Sequence, residues 1–234
     1  MDRRYFSSAC LVVPASLLLL AARQAHALSI GDLSAGDASS GVKAALEKGA
    51  TVAVSLLGRP DGFLGNPKVR IPLPGYLESG AKMLRMVGQG NRIDELVTAM
   101  NRAAEQAVPA AQELLVSAVR SMSVSDAKGI LTGGDTSVTQ FFVGKTRAPL
   151  TERFLPIVTT ATAKVQLAEK YNSIASKVSS YGLVKKEDAN IQRYVTGKSL
   201  DGLYLIIGEE ERKIRQDPVG SGSAILQKVF GALR

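Results

Sequence analysis

The side chains that could do chemistry are few, and the first fact about them is an absence. The chain has 234 residues with one Cys, one His and no Trp. Cys10 and His26 both fall in an N-terminal stretch that reads as an export signal, so from Leu28 onward there is neither thiol nor imidazole. This excludes disulfides, zinc sites built on Cys or His, and any Ser–His or Cys–His catalytic pair. Carboxylates, lysines, hydroxyls and amides remain. The run Glu209-Glu210-Glu211 can turn at most two carboxylates toward a core. Paired carboxylates on opposing segments can do acid–base work on glycans, with Asp201, Glu105, Asp135 and Glu152 as partners that spacing alone does not place. Asn101-Arg102-Ala103-Ala104-Glu105 is a second polar cluster, on an Ala-rich helix. Asn101 lies at the edge of the apolar stripe, where it can hydrogen-bond across it, and Arg102 points more toward solvent.

Other patterns imitate known sites without completing them. Gly144-Lys145-Thr146 and Gly197-Lys198-Ser199 match the tail of a phosphate-binding loop. The earlier glycine that such a loop needs is replaced by Thr139 and Gln192. The two lysines are then expected near helix ends, where cations suit the dipole. Ser79 and Lys82, and Ser125 and Lys128, have the Ser-x-x-Lys spacing of serine acyl enzymes, without their other motifs. The acidic spacing of a calcium loop is absent. No cofactor and no metal is expected.

The elements that must position these residues read as helices. Arg3 and Arg4 precede an apolar run from Cys10 to Ala22 that Pro14 interrupts, and Ala25-His26-Ala27 is a small-x-small cleavage site. Residues 1–27 are therefore expected to be a signal peptide, cut between Ala27 and Leu28. Arg3-Arg4-Tyr5-Phe6 resembles part of a twin-arginine signal, which leaves two export routes open. No second long apolar run follows, so no transmembrane segment is expected after cleavage. The net charge of +8 favours anionic neighbours, but the basic residues are scattered. No nucleic-acid partner is expected.

Residues 28–40 read as a flexible leader, with Ser40 capping a helix whose apolar face carries Val42, Leu46, Ala50, Ala53, Val54 and Leu57. Arg59-Pro60-Asp61-Gly62 is turn chemistry. Phe63 to Pro74 holds too many prolines for a helix, and Lys68-Val69-Arg70-Ile71 alternates as an extended segment does. A helix follows to Val87, and Asn91 reads as the cap of the next. Pro109 kinks or splits that helix, and Ser123 with Asp126 forms a capping box. A short helix holds Val138, Phe141 and Phe142, and a long periodic segment bent by Pro156 runs from Leu150 to Val178. A short helix at Ile191–Val195 precedes a clear amphipathic one from Ser199, its N-cap, to Pro218, its stop. There Leu200, Leu203, Ile207 and Ile214 share a face, Glu210 projects toward it and Glu211 lies on its other edge. A last amphipathic turn or two holds Ile225 to Phe230. The fold class is all-α, a single-domain irregular helical bundle over 41–234 with one short Pro-rich extended segment.

Five groups of residues carry a resemblance: Asp61-Gly62-Phe63-Leu64, Val69 to Pro74, Met100 to Glu105, Tyr194-Val195-Thr196 and Leu200-Asp201-Gly202-Leu203, with Glu210-Glu211 and Ile214-Arg215 after them. In this order they resemble the bacterial family known as domain of unknown function 4197. The resemblance implies export and a single helical domain, and it implies no activity. The expected function is non-catalytic binding in the periplasm. One form is a hydrophobic or lipidic ligand held among the helices, with Glu210, Glu211, Asn101, Asp201 or a nearby Arg fixing its polar head. Another is an envelope protein docked on Phe63–Pro74. The alternative is a cell-envelope hydrolase using carboxylates or a Ser–Lys pair.

Overall fold

A computed structural model describes residues 35–163, 168, 169, 171, 172 and 190–217. The expected signal peptide, its Ala27–Leu28 cleavage site, Val178, Pro218 and the turn expected at Ile225 to Phe230 lie outside them. The described α-helices are α1 (Ala35–Leu57), α2 (Glu78–Met86), α3 (Gly90–Ala107), α4 (Gln112–Arg120), α5 (Val124–Thr132), α6 (Ser137–Thr162) and α7 (Ile191–Gln216). Short 3-10 turns at Gly75–Leu77 and Val108–Ala111 precede α2 and α4. There is no strand among the described residues, and the fold is an all-α bundle.

The apolar stripes account for the packing. Val42, Leu46, Ala50, Ala53, Val54 and Leu57 are all buried, so the face read for α1 is the one it uses, against α7, α4 and α5. α6 packs on α7, α3 and α4, and Phe142, Leu150, Phe154 and Leu203 are fully buried among these helices. Small side chains on α3, among them Ala103, Ala104 and Ala107, are fully buried and let α6 and α7 approach it. α2 rests chiefly on α3 and on the turn before it.

Several helix boundaries differ from the sequence reading. α1 begins at Ala35, so the last residues of the expected leader are already helical and Ser40 is interior. α3 starts one residue before Asn91, with Gln89 at its N-cap position and no side-chain cap. Pro109 separates α3 from α4 through a 3-10 turn. The short helix at Val138 and the start of the long segment are one helix, α6, which runs through both Pro149 and Pro156. Threonines bond back to carbonyls one turn earlier along it, as Thr151 does to Arg147 and Thr160 to Pro156.

α7 is likewise one 26-residue helix rather than two. Asn190 is its cap and accepts a hydrogen bond from the Arg193 amide, whereas Ser199 is buried mid-helix and donates to the Val195 carbonyl at 2.7 Å. Lys145 and Lys198 accordingly sit in helix interiors, not near helix ends. The capping box holds: Ser123 Oγ accepts from the Asp126 amide, and the Asp126 carboxylate accepts from the Ser123 amide, both at 3.0 Å. These bonds to Ser123 hold the Asp126 carboxyl below its ordinary range.

Candidate functional site

Between α1 and α2 the chain runs from Gly58 to Pro74 without regular structure, and its main chain must find hydrogen bonds elsewhere. α3 supplies them. Asn101 is fully buried. Its Oδ1 accepts from the Ile71 amide at 2.8 Å, and its Nδ2 donates to the carbonyls of Ile71 at 3.0 Å and Val97 at 2.8 Å. One amide side chain thus does for Ile71 what a neighbouring strand would do. One turn on, Glu105 is buried, and its Oε1 accepts from the amides of Phe63 and Leu64, both at 3.0 Å. Its Oε2 accepts from Arg102 at 2.7 Å, and Arg102 also donates to Asp61 at 2.8 Å. Those two carboxylates, Glu105 first, hold the Arg102 guanidinium protonated beyond its ordinary range.

α7 closes the other side. The Tyr194 hydroxyl donates to the Pro72 carbonyl at 3.1 Å, and Lys68 pairs with Glu209 at 2.7 Å. A methyl group on Gly202 would stand 2.8 Å from the Phe63 ring and 3.2 Å from Val69 Cβ, so only glycine lets the segment lie this close to α7. Gly62 is equally constrained, since a side chain there would meet the Leu57 carbonyl oxygen at 2.5 Å. Asp61, just before it, takes a left-handed φ of 65°, a conformation that Asp tolerates better than most residues. The alternation read in Lys68-Val69-Arg70-Ile71 appears as exposed, buried, exposed, buried.

The motifs far apart in sequence therefore meet at one place. Asp61–Leu64 and Val69–Pro74 are the segment itself. Met100–Glu105, Tyr194–Thr196 and Leu200–Leu203 are the helical surfaces that carry it.

The remaining predicted residues do other things. Glu210 is half-buried and pairs with Lys213 at 2.6 Å. Glu211, not Glu210, is the carboxylate that enters the core: it is 7% exposed. Its Oε1 accepts from Arg215 at 2.7 Å, and Arg215 also donates to the Ile130 carbonyl. Its Oε2 has no hydrogen-bond partner among the described residues, and Glu211 helps line an apolar cavity with Val42, Leu46, Ile130, Val138 and Ile207. Burial raises the Glu211 pKa above its ordinary value, against the opposing pull of Arg215. The cavity measures about 10 Å³ for a water-sized occupant, room for one water and not for an acyl chain. Asp201 is exposed and pairs with Arg147 at 2.8 Å. Of the four candidates, Asn101 belongs to the cluster that holds the segment, and Asp201 borders the segment's outer side in a shallow pocket with Lys68 to Pro72; Glu210 and Glu211 do not converge with them.

The motifs that imitate catalytic sites are placed as well. Gly144-Lys145-Thr146 and Gly197-Lys198-Ser199 lie inside α6 and α7, where main-chain amides serve the helix and cannot wrap a phosphate. Ser125 and Lys128 are both exposed on α5. Among the described residues no three His, Cys, Asp or Glu side chains are grouped to hold a metal ion, and no helix is long and apolar enough to cross a membrane.

No curated protein and no solved structure matches this chain. A family model described as "Protein of unknown function (DUF4197)" matches residues 32–231, nearly the whole chain, and the protein belongs to that family.

Proposed function

We propose that this is a protein exported to the bacterial periplasm that acts by binding rather than catalysis. It engages a lipidic ligand or an envelope partner through the face built by residues 59–74 and α2. One observation carries the reading. Two buried polar side chains, Asn101 and Glu105, direct four of their six hydrogen bonds to the main chain of a non-helical segment. Buried polar groups that are fully paired fix one geometry, and a loop held on a rigid scaffold is where binding residues concentrate. The outer side of α2 adds support, because Met83, Met86 and Val87 are 66%, 79% and 71% exposed within five residues. Large apolar side chains gathered on one exposed element mark interaction surfaces. The basic, apolar and small-x-small pattern of residues 3–27 supports export.

The test is site-specific photo-crosslinking in the host cell, with the probe at Lys68 or Met86, both exposed, and a control probe at Lys128 on α5. The reading expects a discrete adduct from the first two positions that Asn101→Leu abolishes. The same adduct from Lys128, or none from any position, overturns it.

A further inference from the structure

The binding face holds a groove whose chemistry is two-sided. It lies between residues 67–73 and the α2–α3 pair and encloses about 480 Å³, within the roughly 300–1,000 Å³ of small-molecule sites. Its apolar surface comes from Pro67, Pro72, Leu73, Ala81, Ile93 and Val97. Four charged residues also line it: Arg70, Lys82, Arg85 and Glu78. Arg85 is held by Asp94, at 2.6 Å through Nη2 and 3.4 Å through Nη1. Arg70 and Lys82 are exposed and have no carboxylate partner among the described residues. Glu78 opposes them, and the lining keeps an excess of positive charge.

We propose that this groove binds an anionic amphiphile: a single apolar chain along the proline-walled floor, with a carboxylate or phosphate head on Arg70 and Lys82. Neither half of the site suffices alone. Exposed cations gain little from a hydrated anion, and a shallow apolar groove holds a neutral chain weakly. Joined in one molecule, the chain brings the head to the cations at high local concentration. The prolines add stiffness, since a floor with φ already fixed loses little freedom when a ligand settles on it. Asn101 holds Ile71, which stands between Arg70 and Pro72 of the groove wall, and this ties the groove to the buried cluster on α3.

This proposal rests on the reading of residues 59–74 and α2 as a binding face. Its test is calorimetric titration of the full chain after signal removal with dodecanoate. Dodecyl phosphate serves as the second anionic head, and dodecanol and dodecyltrimethylammonium as neutral and cationic controls. The expected result is saturable one-to-one binding of both anions, at least tenfold tighter than either control. The double variant Arg70→Glu/Lys82→Glu should weaken the anions at least tenfold, whereas Lys128→Glu should change them less than twofold. Both altered positions are exposed, so folding is unaffected and is checked by circular dichroism. Absence of saturable anion binding overturns the proposal, as does equal binding of the cationic control or an unchanged double variant. A crosslink from Lys68 or Met86 with no amphiphile binding would sink this proposal alone; absence of a crosslink from both would sink the reading beneath it.

Discussion

Replacing Asn101 by Asp removes no volume and leaves one acceptor where the Ile71 amide needs it. It turns the other atom, now an amide nitrogen that donates to two carbonyls at 3.0 and 2.8 Å, into an oxygen facing them. The position is fully buried. An ionised carboxylate there would confront two carbonyl oxygens without compensation, so the introduced group must stay protonated for the native state to survive. Its native pKa is therefore raised above the unfolded value of about 3.9. A raised carboxyl pKa gives stability that is fully present below the unfolded value and lost as pH rises toward the folded one. Each pH unit costs about 1.4 kcal/mol, so between pH 4 and pH 7 the variant should lose up to about 4 kcal/mol relative to wild type. The neutral acid can satisfy only one of the two carbonyls, which adds about 1 kcal/mol at every pH. If residues 59–74 peel away first, the loss is capped at the cost of that local opening, and proteolysis near Asn66 accelerates instead. Urea unfolding of both proteins at pH 4, 5.5 and 7, with limited proteolysis beside it, reads both outcomes. A variant within about 0.5 kcal/mol of wild type at pH 7, with unchanged proteolysis, would refute the role assigned to Asn101.

Four further outcomes follow from the same geometry. Glu105→Ala leaves the amides of Phe63 and Leu64 without an acceptor and should cost about 2–4 kcal/mol in urea unfolding, mostly from the buried Phe63 amide. Gly202→Ala drives a methyl into the Phe63 ring and should cost about 1–3 kcal/mol, which Phe63→Leu partly restores. Thr196→Val removes, at nearly constant shape, a buried hydroxyl that has no partner among the described residues, and should raise Tm or leave it unchanged. Because burial raises the Glu211 pKa, wild type should lose stability as pH climbs from the ordinary glutamate value of 4.5 through the folded one; Glu211→Gln should lack that slope, and parallel pH profiles for the two proteins would contradict this.

Much of the helical frame was legible. The stripe of α1 and the Ser123 capping box depend on local spacing alone, and both hold. Ser199 reads as an N-cap because serine favours that position ahead of an apolar stripe. Nothing local shows that Ser199 bonds back to Val195 while tertiary packing carries the helix across. The choice between Glu210 and Glu211 was open on a helical wheel: each stands three or four residues from both Ile207 and Ile214. The side on which α1 packs decides it, and that is a tertiary fact. Asn101 stood out as a polar residue beside an apolar stripe, but its partner, Ile71, lies 30 residues earlier in the chain. Glu105 had a signal of the same kind, one turn after Asn101 on the same helix. It was set among carboxylates with no placed partner because two main-chain amides in a loop leave no mark in a sequence. The groove was invisible for the same reason, since its walls come from the loop, α2 and α3 together.

The central claim is that α3 holds residues 59–74 as a fixed platform. Hydrogen exchange resolved at the amides of Phe63, Leu64 and Ile71 tests it most directly. If Asn101 and Glu105 hold them, all three exchange at least a hundredfold more slowly than in an unstructured peptide, and Asn101→Asp at pH 7 releases Ile71 first. Exchange of these amides at the free-peptide rate in the wild-type protein would contradict the account.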